Sequence, residues 1–207
     1  MASETARGYR KGAETRLRIE EAAAAAFATR GFHGTSTRDI AAAAGMSPAA
    51  VYIHHGSKEN LLFVLSRDGH RHILELVQDA ARSREGAQAQ LEEVARAFAE
   101  DHARHHVRAR LVNYELLALE PAHLDEILGL REAIARELVT IVERGVADGV
   151  FATSDTHMAA NAVMSLGIDV ARWYRDGSSW TPERVGAFYA DMALRMLGAR
   201  RPPATPA

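Results

Sequence analysis

Residues 35–58 read TSTRDIAAAAGMSPAAVYIHHGSK, and the order of caps and stops in this stretch decides the fold. Hydroxyls at Thr35, Ser36 and Thr37 can accept the backbone N–H groups that a helix start leaves without partners. Ser36, followed three residues on by Asp39, has the spacing of a capping box. A helix over 37–44 is predicted, ended by Gly45, because glycine enters the left-handed region that a C-terminal stop uses. Ser47 then caps a second helix, and Pro48 takes its first position, where a missing N–H costs nothing. Gly56 closes this helix. A helix, a tight turn with glycine and a second short helix form the layout of a helix-turn-helix.

Upstream, residues 1–13 are rich in Gly, Ala and charge and read as a flexible basic arm. From Glu14 the spacing of Ile19, Ala23, Ala26 and Phe27 predicts an amphipathic helix that Gly31 ends. The head therefore spans 14–60 with three helices, around Ile19, Phe27, Phe32, Ile40, Val51 and Leu61. Downstream, Lys58 opens a long helix to about residue 83. Further helices are predicted over 90–106, 109–119, from Pro121 to Gly145 or Gly149, from the Thr153–Asp155 caps to about Arg175, and from Thr181-Pro182-Glu183 onward. The last carries a stripe of Val185, Phe188, Tyr189, Met192 and Met196. Residues 61–198 are predicted to form a separate helical body, and the proline-rich 199–207 reads as a disordered tail. With no strand-like alternation, the chain is predicted to be all-α, with about nine helices.

The composition excludes several classes. There are no cysteines, so disulfides, iron–sulfur clusters and thiolate zinc sites are ruled out. No run of eighteen apolar residues occurs, and the opening stretch lacks the apolar core of a secretory signal; the expectation is a cytoplasmic protein with no membrane partner. Net charge is −2, but it is unevenly spread. Residues 1–60 carry 8 Lys/Arg against 6 Asp/Glu, and 61–207 carry 17 against 21. A mildly basic head on an acidic body suits a module that meets phosphates at one end.

The residues Thr35, Thr37, Ile40, Ala41, Ala44, Gly45, Ser47, Val51, Tyr52, His54 and Lys58, with Phe27, Gly31 and Phe32 before them and Leu61 and Leu62 after, resemble the DNA-binding signature of the TetR/AcrR transcriptional regulators. The resemblance departs at His55, where that family usually has phenylalanine, and at Gly56, where proline or another small residue is common. Carried over position by position, it implies that Thr37, Ser47, Tyr52, His54 and Lys58 hold phosphates, which fix register without reading sequence. Base contacts are expected from Pro48, Ala49 and Ile53, with Arg38 as a further reader. This surface is poor in donors: Ala49 and Ile53 can meet thymine methyl groups but cannot make bidentate pairs.

One head reads too few base pairs to be selective, so a homodimer on double-stranded operator DNA is expected. The last two helices are the expected seam, through Val163, Leu166, Val170, Phe188, Tyr189, Met192 and Met196. The resemblance implies that these helices form a four-helix bundle across a two-fold axis. It also implies a pocket for a small-molecule effector among the middle helices. Polar atoms within apolar periods nominate Asn113, Tyr114, Asn161, Ser165, Asp169 and Trp173 as its lining. The region 130–197 is more loosely similar to members that sense acyl-CoA thioesters, although Asp169 and Val170 stand where an aromatic pair is expected.

No nucleophile motif, phosphate loop or paired-carboxylate arrangement stands out, so no catalytic residue, enzyme activity or cofactor is expected. Two other readings remain. One is a helical metabolite-binding protein without operator binding. The other is a metal-responsive regulator using the histidines of 101–106, where His102 and His106 at i and i+4 could share a helical face. That run shows no third ligand, and no metal site is assigned from the sequence.

Overall fold

The computed structural model describes the backbone of residues 2–199 and the side chains of 12–199. The expected tail over 199–207 lies outside these from Arg200 on, as do the side chains of the expected arm up to residue 11. Among the described residues there are nine α-helices and no strand: α1 (Ala2–Arg30), α2 (Thr37–Ala43), α3 (Pro48–His55), α4 (Lys58–Arg82), α5 (Ala87–Arg104), α6 (His106–Tyr114), α7 (Pro121–Ala147), α8 (Thr156–Trp173) and α9 (Pro182–Met196). A short 3-10 turn, Leu116–Ala118, follows α6. No described helix is long and apolar enough to cross a membrane.

The helix expected from Glu14 starts at Ala2 instead. Alanine, glutamate, arginine and lysine fill this stretch without a proline, and their helix propensity outweighs Gly8 and Gly12. The helices expected over 90–106 and 109–119 fall instead at Ala87–Arg104 and His106–Tyr114, while several other starts lie where the local signals place them. Ser36 and Asp39 close a reciprocal capping box. The side chains of Ser47, Asp155 and Thr181 accept from the N–H groups of Ala50, Met158 and Arg184. Gly45 leaves α2 at φ +66°, a conformation that any residue with a Cβ adopts only with strain.

The chain divides into two compact units, and not at residue 60. The first gathers Met1–Gly69 with Arg110–Ile127, the second His70–Ala109 with Leu128–Ala207. In the first, the six residues expected to fill the head core are all buried, none more than 7% exposed. Phe27 and Phe32 pack with ring centroids 5.4 Å apart. The start of α7 joins this unit through Glu59, whose carboxylate accepts from the Glu120 N–H at 2.9 Å and from His123 Nδ1 at 2.8 Å. His123 also stacks on Phe63 at 3.8 Å.

The second unit is built around α5. Its buried face of Leu91, Val94, Ala95 and Phe98 packs with Leu138, Ile141 and Val142 of α7 and with Val163 and Met164 of α8. α9 lies chiefly along α5. That approach needs Gly186, since a Cβ there would sit 2.7 Å from the Arg96 carbonyl oxygen and 3.0 Å from Glu100 Cβ. A backbone oxygen cannot rotate away as a side chain can. Gly186→Val should therefore lower the unfolding free energy by about 2 kcal/mol or more, well beyond the small gain in helix propensity. A denaturant midpoint equal to wild type would contradict this packing.

Candidate nucleic-acid interface

α3 is held from behind and open in front. Val51 is fully buried and His55 is 4% exposed, whereas Tyr52 and Ile53 are 55% and 79% exposed. Ser47, Pro48 and Ala49, at the N-terminal end, are exposed as well, and so is Arg38 on α2. His54 and Thr37 are half-buried. The Tyr52 and Thr37 hydroxyl oxygens stand 3.4 Å apart, bringing two of the expected phosphate-binding hydroxyls together on neighbouring helices. The expected readers Arg38, Pro48, Ala49 and Ile53 are all exposed.

Lys58 has a different position from the other expected phosphate ligands. Its Nζ donates to the carbonyl oxygens of Phe32 and Thr35, each at 2.9 Å, and lies 4.2 Å from the centroid of the Phe32 ring. The cation thus ties the first turn of α4 to the turn between α1 and α2. Thr35, read as a possible cap, is buried; its hydroxyl donates to the carbonyls of Ala26 at 3.1 Å and Gly31 at 2.8 Å. Arg18 likewise reaches inward, donating from Nη2 to the Ala44 carbonyl at 2.7 Å, where α2 ends. An open hollow of about 370 Å³ beside this turn is lined by His33, Gly34, Thr35, Ser36, Thr37, Asp39 and Lys58. Hydrogen bonds from Ser36 hold the Asp39 carboxyl below the usual carboxylate range, so it remains anionic there.

His55 is the unusual core residue of the head. Its Nε2 has no hydrogen-bond partner among the described residues and stands 3.7 Å from Glu20 Oε1. Burial pushes its pKa below 6.5, only partly offset by a hydrogen bond to the backbone of Arg16. The imidazole fills a position that an aromatic ring would fill without a polar atom.

The polar residues nominated for an effector pocket are divided between the two units. Asn113 is half-buried and Tyr114 exposed, both in the first unit; Asn161, Ser165 and Trp173 are exposed in the second. Asp169 accepts from Arg172 Nη1 at 3.3 Å. Trp173 packs edge-on against Trp180, centroids 5.9 Å apart. An apolar cleft in the second unit is lined by Phe98, Leu138, Val163, Met164, Leu166, Gly167, Tyr189 and Met196 among others, with a cavity volume of about 10 Å³. That is room for about one water.

Two of the residues expected at the dimer seam also need correction. Val163 and Val170 are buried in their own chain, Val170 against Ala99, Ala103, Tyr174 and Val185. Leu166, Phe188 and Met196 are 42%, 62% and 42% exposed, and Tyr189 and Met192 are half-buried. The pairing of His102 with His106 fails because α5 ends at Arg104, so His106 belongs to the next helix. Both rings are buried. Each donates from Nδ1 to a backbone carbonyl, His102 to Phe98 at 2.8 Å and His106 to Ala103 at 3.1 Å.

A capped helix-turn-helix presenting an exposed second helix, joined to a helical body with a separate core, defines a DNA-binding transcriptional regulator. The chain belongs to the TetR family: residues 19–65 match the model "Bacterial regulatory proteins, tetR family" and residues 84–197 match "Tetracyclin repressor-like, C-terminal domain". Among its relatives is the HTH-type transcriptional repressor KstR2 of Rhodococcus jostii (strain RHA1), 28% identical over 186 residues, with 89% of this chain and 91% of the relative covered. A crystal structure of a tetR-family regulatory protein from Rhodococcus RHA1 superposes with a TM-score of 0.86 at 37% identity, covering 90% of this chain and 98% of that one. The ketosteroid transcriptional regulator KstR2 of Mycobacterium tuberculosis superposes with a TM-score of 0.80 at 27% identity, covering 90% and 95%.

The environment of His55 generates a pH prediction. With its folded pKa below 6.5, the folded state binds fewer protons there than the unfolded chain. Stability should fall as pH drops below about 6.5 and level off beneath the folded value. His55→Phe removes both this contribution and the unpartnered nitrogen, so it should stabilise by about 1 kcal/mol at neutral pH and by more at pH 5. Thermal melts across pH 5–8 decide it: a phenylalanine variant that is less stable, with an unchanged pH slope, contradicts the reading.

Proposed function

We propose that this chain is a homodimeric repressor of the cytoplasm, bound to a near-palindromic operator and released by a small hydrophobic effector. The observation that carries the DNA-binding part is the outer face of α3, where Tyr52 and Ile53 stand in solvent on a helix fixed from behind by Val51 and His55. Large side chains exposed on a short, capped helix suit insertion into a major groove. Thr37, Ser47, Tyr52 and His54 would hold phosphates, and Lys58 would set the angle of the head from within. Arg38 would supply the charged base contact, while Pro48, Ala49 and Ile53 would read thymine methyls by contact.

The apolar side chains left in solvent on the last two helices, Leu166, Phe188 and Met196, support a seam with a second copy. Two heads about one DNA turn (~34–36 Å) apart would then meet successive major grooves. An effector can shift this equilibrium only by its preference for one spacing of the heads over another. Its hydrophobic class is supported by the relative whose own description is a ketosteroid regulator. Steroid-like compounds and acyl-CoA thioesters are the first to test.

Selection of bound fragments from random duplex DNA, followed by titrations at several salt concentrations, tests the core of this reading. A palindromic site bound with a steep salt slope is expected. Arg38→Ala should cost about 1–3 kcal/mol on the selected site, and Phe188→Asp should yield monomers with much weaker operator binding. Absence of any enriched sequence, together with weak binding at low salt, would sink the proposal.

A further inference from the structure

The second unit contains a cluster that neither the head nor the hydrophobic cleft uses. His72 on α4 and His105 at the end of α5 both point at one carboxylate, Asp101. His72 Nε2 is 2.9 Å from Asp101 Oδ1, and His105 Nδ1 is 3.0 Å from the same oxygen. All three ligand atoms lie within 4.8 Å of one another. The two rings meet edge to face with centroids 6.1 Å apart. Asp101 is nearly covered, with 11% of its side chain exposed, while His72 and His105 are 55% and 51% exposed.

We propose that His72, Asp101 and His105 form a binding site for a divalent transition-metal ion of the Zn²⁺ type, clamping α4 to α5. Two imidazoles and a carboxylate are a donor set that suits such ions. Ligand atoms held at 2.0–2.2 Å from one tetrahedral ion stand about 3.3 Å apart. The two hydrogen-bonded pairs therefore open by only a few tenths of an ångström, and the imidazole nitrogens, already within 4.8 Å of each other, can adjust by small rotations of half-exposed rings. In the ion-free form the carboxylate accepts from both ring N–H groups. On binding, those protons leave for solvent or move to the outer ring nitrogens, and the freed lone pairs take the ion. The exposed side leaves the fourth position to water. The neighbouring cation Arg104 does not oppose the ion strongly, because it is held by Glu100 at 2.8 Å and Glu183 at 2.6 Å.

The sequence pointed at the wrong pair within this run. His102 and His106 are turned inward onto carbonyls, while His105, just past the end of α5, bonds to Asp101 four residues back. The missing third ligand comes from α4, 29 residues upstream of Asp101.

Metal binding is tested directly, without reference to DNA. The full chain, without a polyhistidine tag and stripped of metal, is titrated with Zn²⁺ against a chromophoric chelator and with Co²⁺ by visible absorption. One equivalent per chain is expected, with a Co²⁺ ligand-field spectrum and a melting temperature that rises with Zn²⁺. His72→Ala and Asp101→Asn should each weaken binding by about 10- to 100-fold or more while circular dichroism stays unchanged. His157→Ala, at an exposed histidine outside the cluster, should bind as wild type does. If no stoichiometric binding is found, or if binding survives His72→Ala combined with His105→Ala, the cluster is a hydrogen-bonded tie between helices and the proposal fails.

Discussion

The DNA-binding head depends on one cation. Lys58 begins α4, yet its ammonium group bonds back to the two carbonyls that close the turn between α1 and α2. Those carbonyls sit just ahead of the Ser36 cap, so Lys58 fixes where α2 starts. Thr35 secures the same turn from the inside, through the carbonyls of Ala26 and Gly31. Hydrogen bonds to a charged donor are worth about 1.5–3 kcal/mol, more than an exposed ion pair supplies. A position read from resemblance as a phosphate ligand is therefore, within the chain, a structural tie.

With α2 fixed, α3 follows from a turn too short to vary. Gly45 and the Ser47-Pro48 pair set both of its ends, and Val51 and His55 anchor its inner face. The rigidity matters because methyl contacts discriminate only when their distances are fixed. The cost of that anchoring falls on His55, whose imidazole is desolvated in the head core.

The body solves a different problem. Three helices must converge on α5, and small residues make this possible: Gly186 admits α9 against the Arg96 carbonyl, and Gly167 admits α8 against the Phe98 ring. Close approach on this side leaves larger side chains, such as Phe188 and Met196, on the other. The same helices thus supply core and exposed apolar face. Polar atoms are handled locally, with His102 and His106 satisfied by carbonyls three or four residues back.

The sequence by itself determined the all-α class, the helix-turn-helix, the family and most helix starts. Those signals are local: a capping hydroxyl, a first-position proline or a stop glycine acts within one turn, whatever lies elsewhere. It also identified the head core, because six large apolar residues at helical spacing around two tight turns have one compact arrangement. What only the tertiary structure decided is which neighbour covers each face. Periodicity shows that Val170 and Phe188 both lie on apolar stripes, but not that the first is buried by its own chain and the second left to solvent. It shows four histidines and an aspartate, but not that a helix break puts His106 on the next helix while His72, His105 and Asp101 converge. Those outcomes depend on contacts between residues far apart in the chain, and no local rule encodes them.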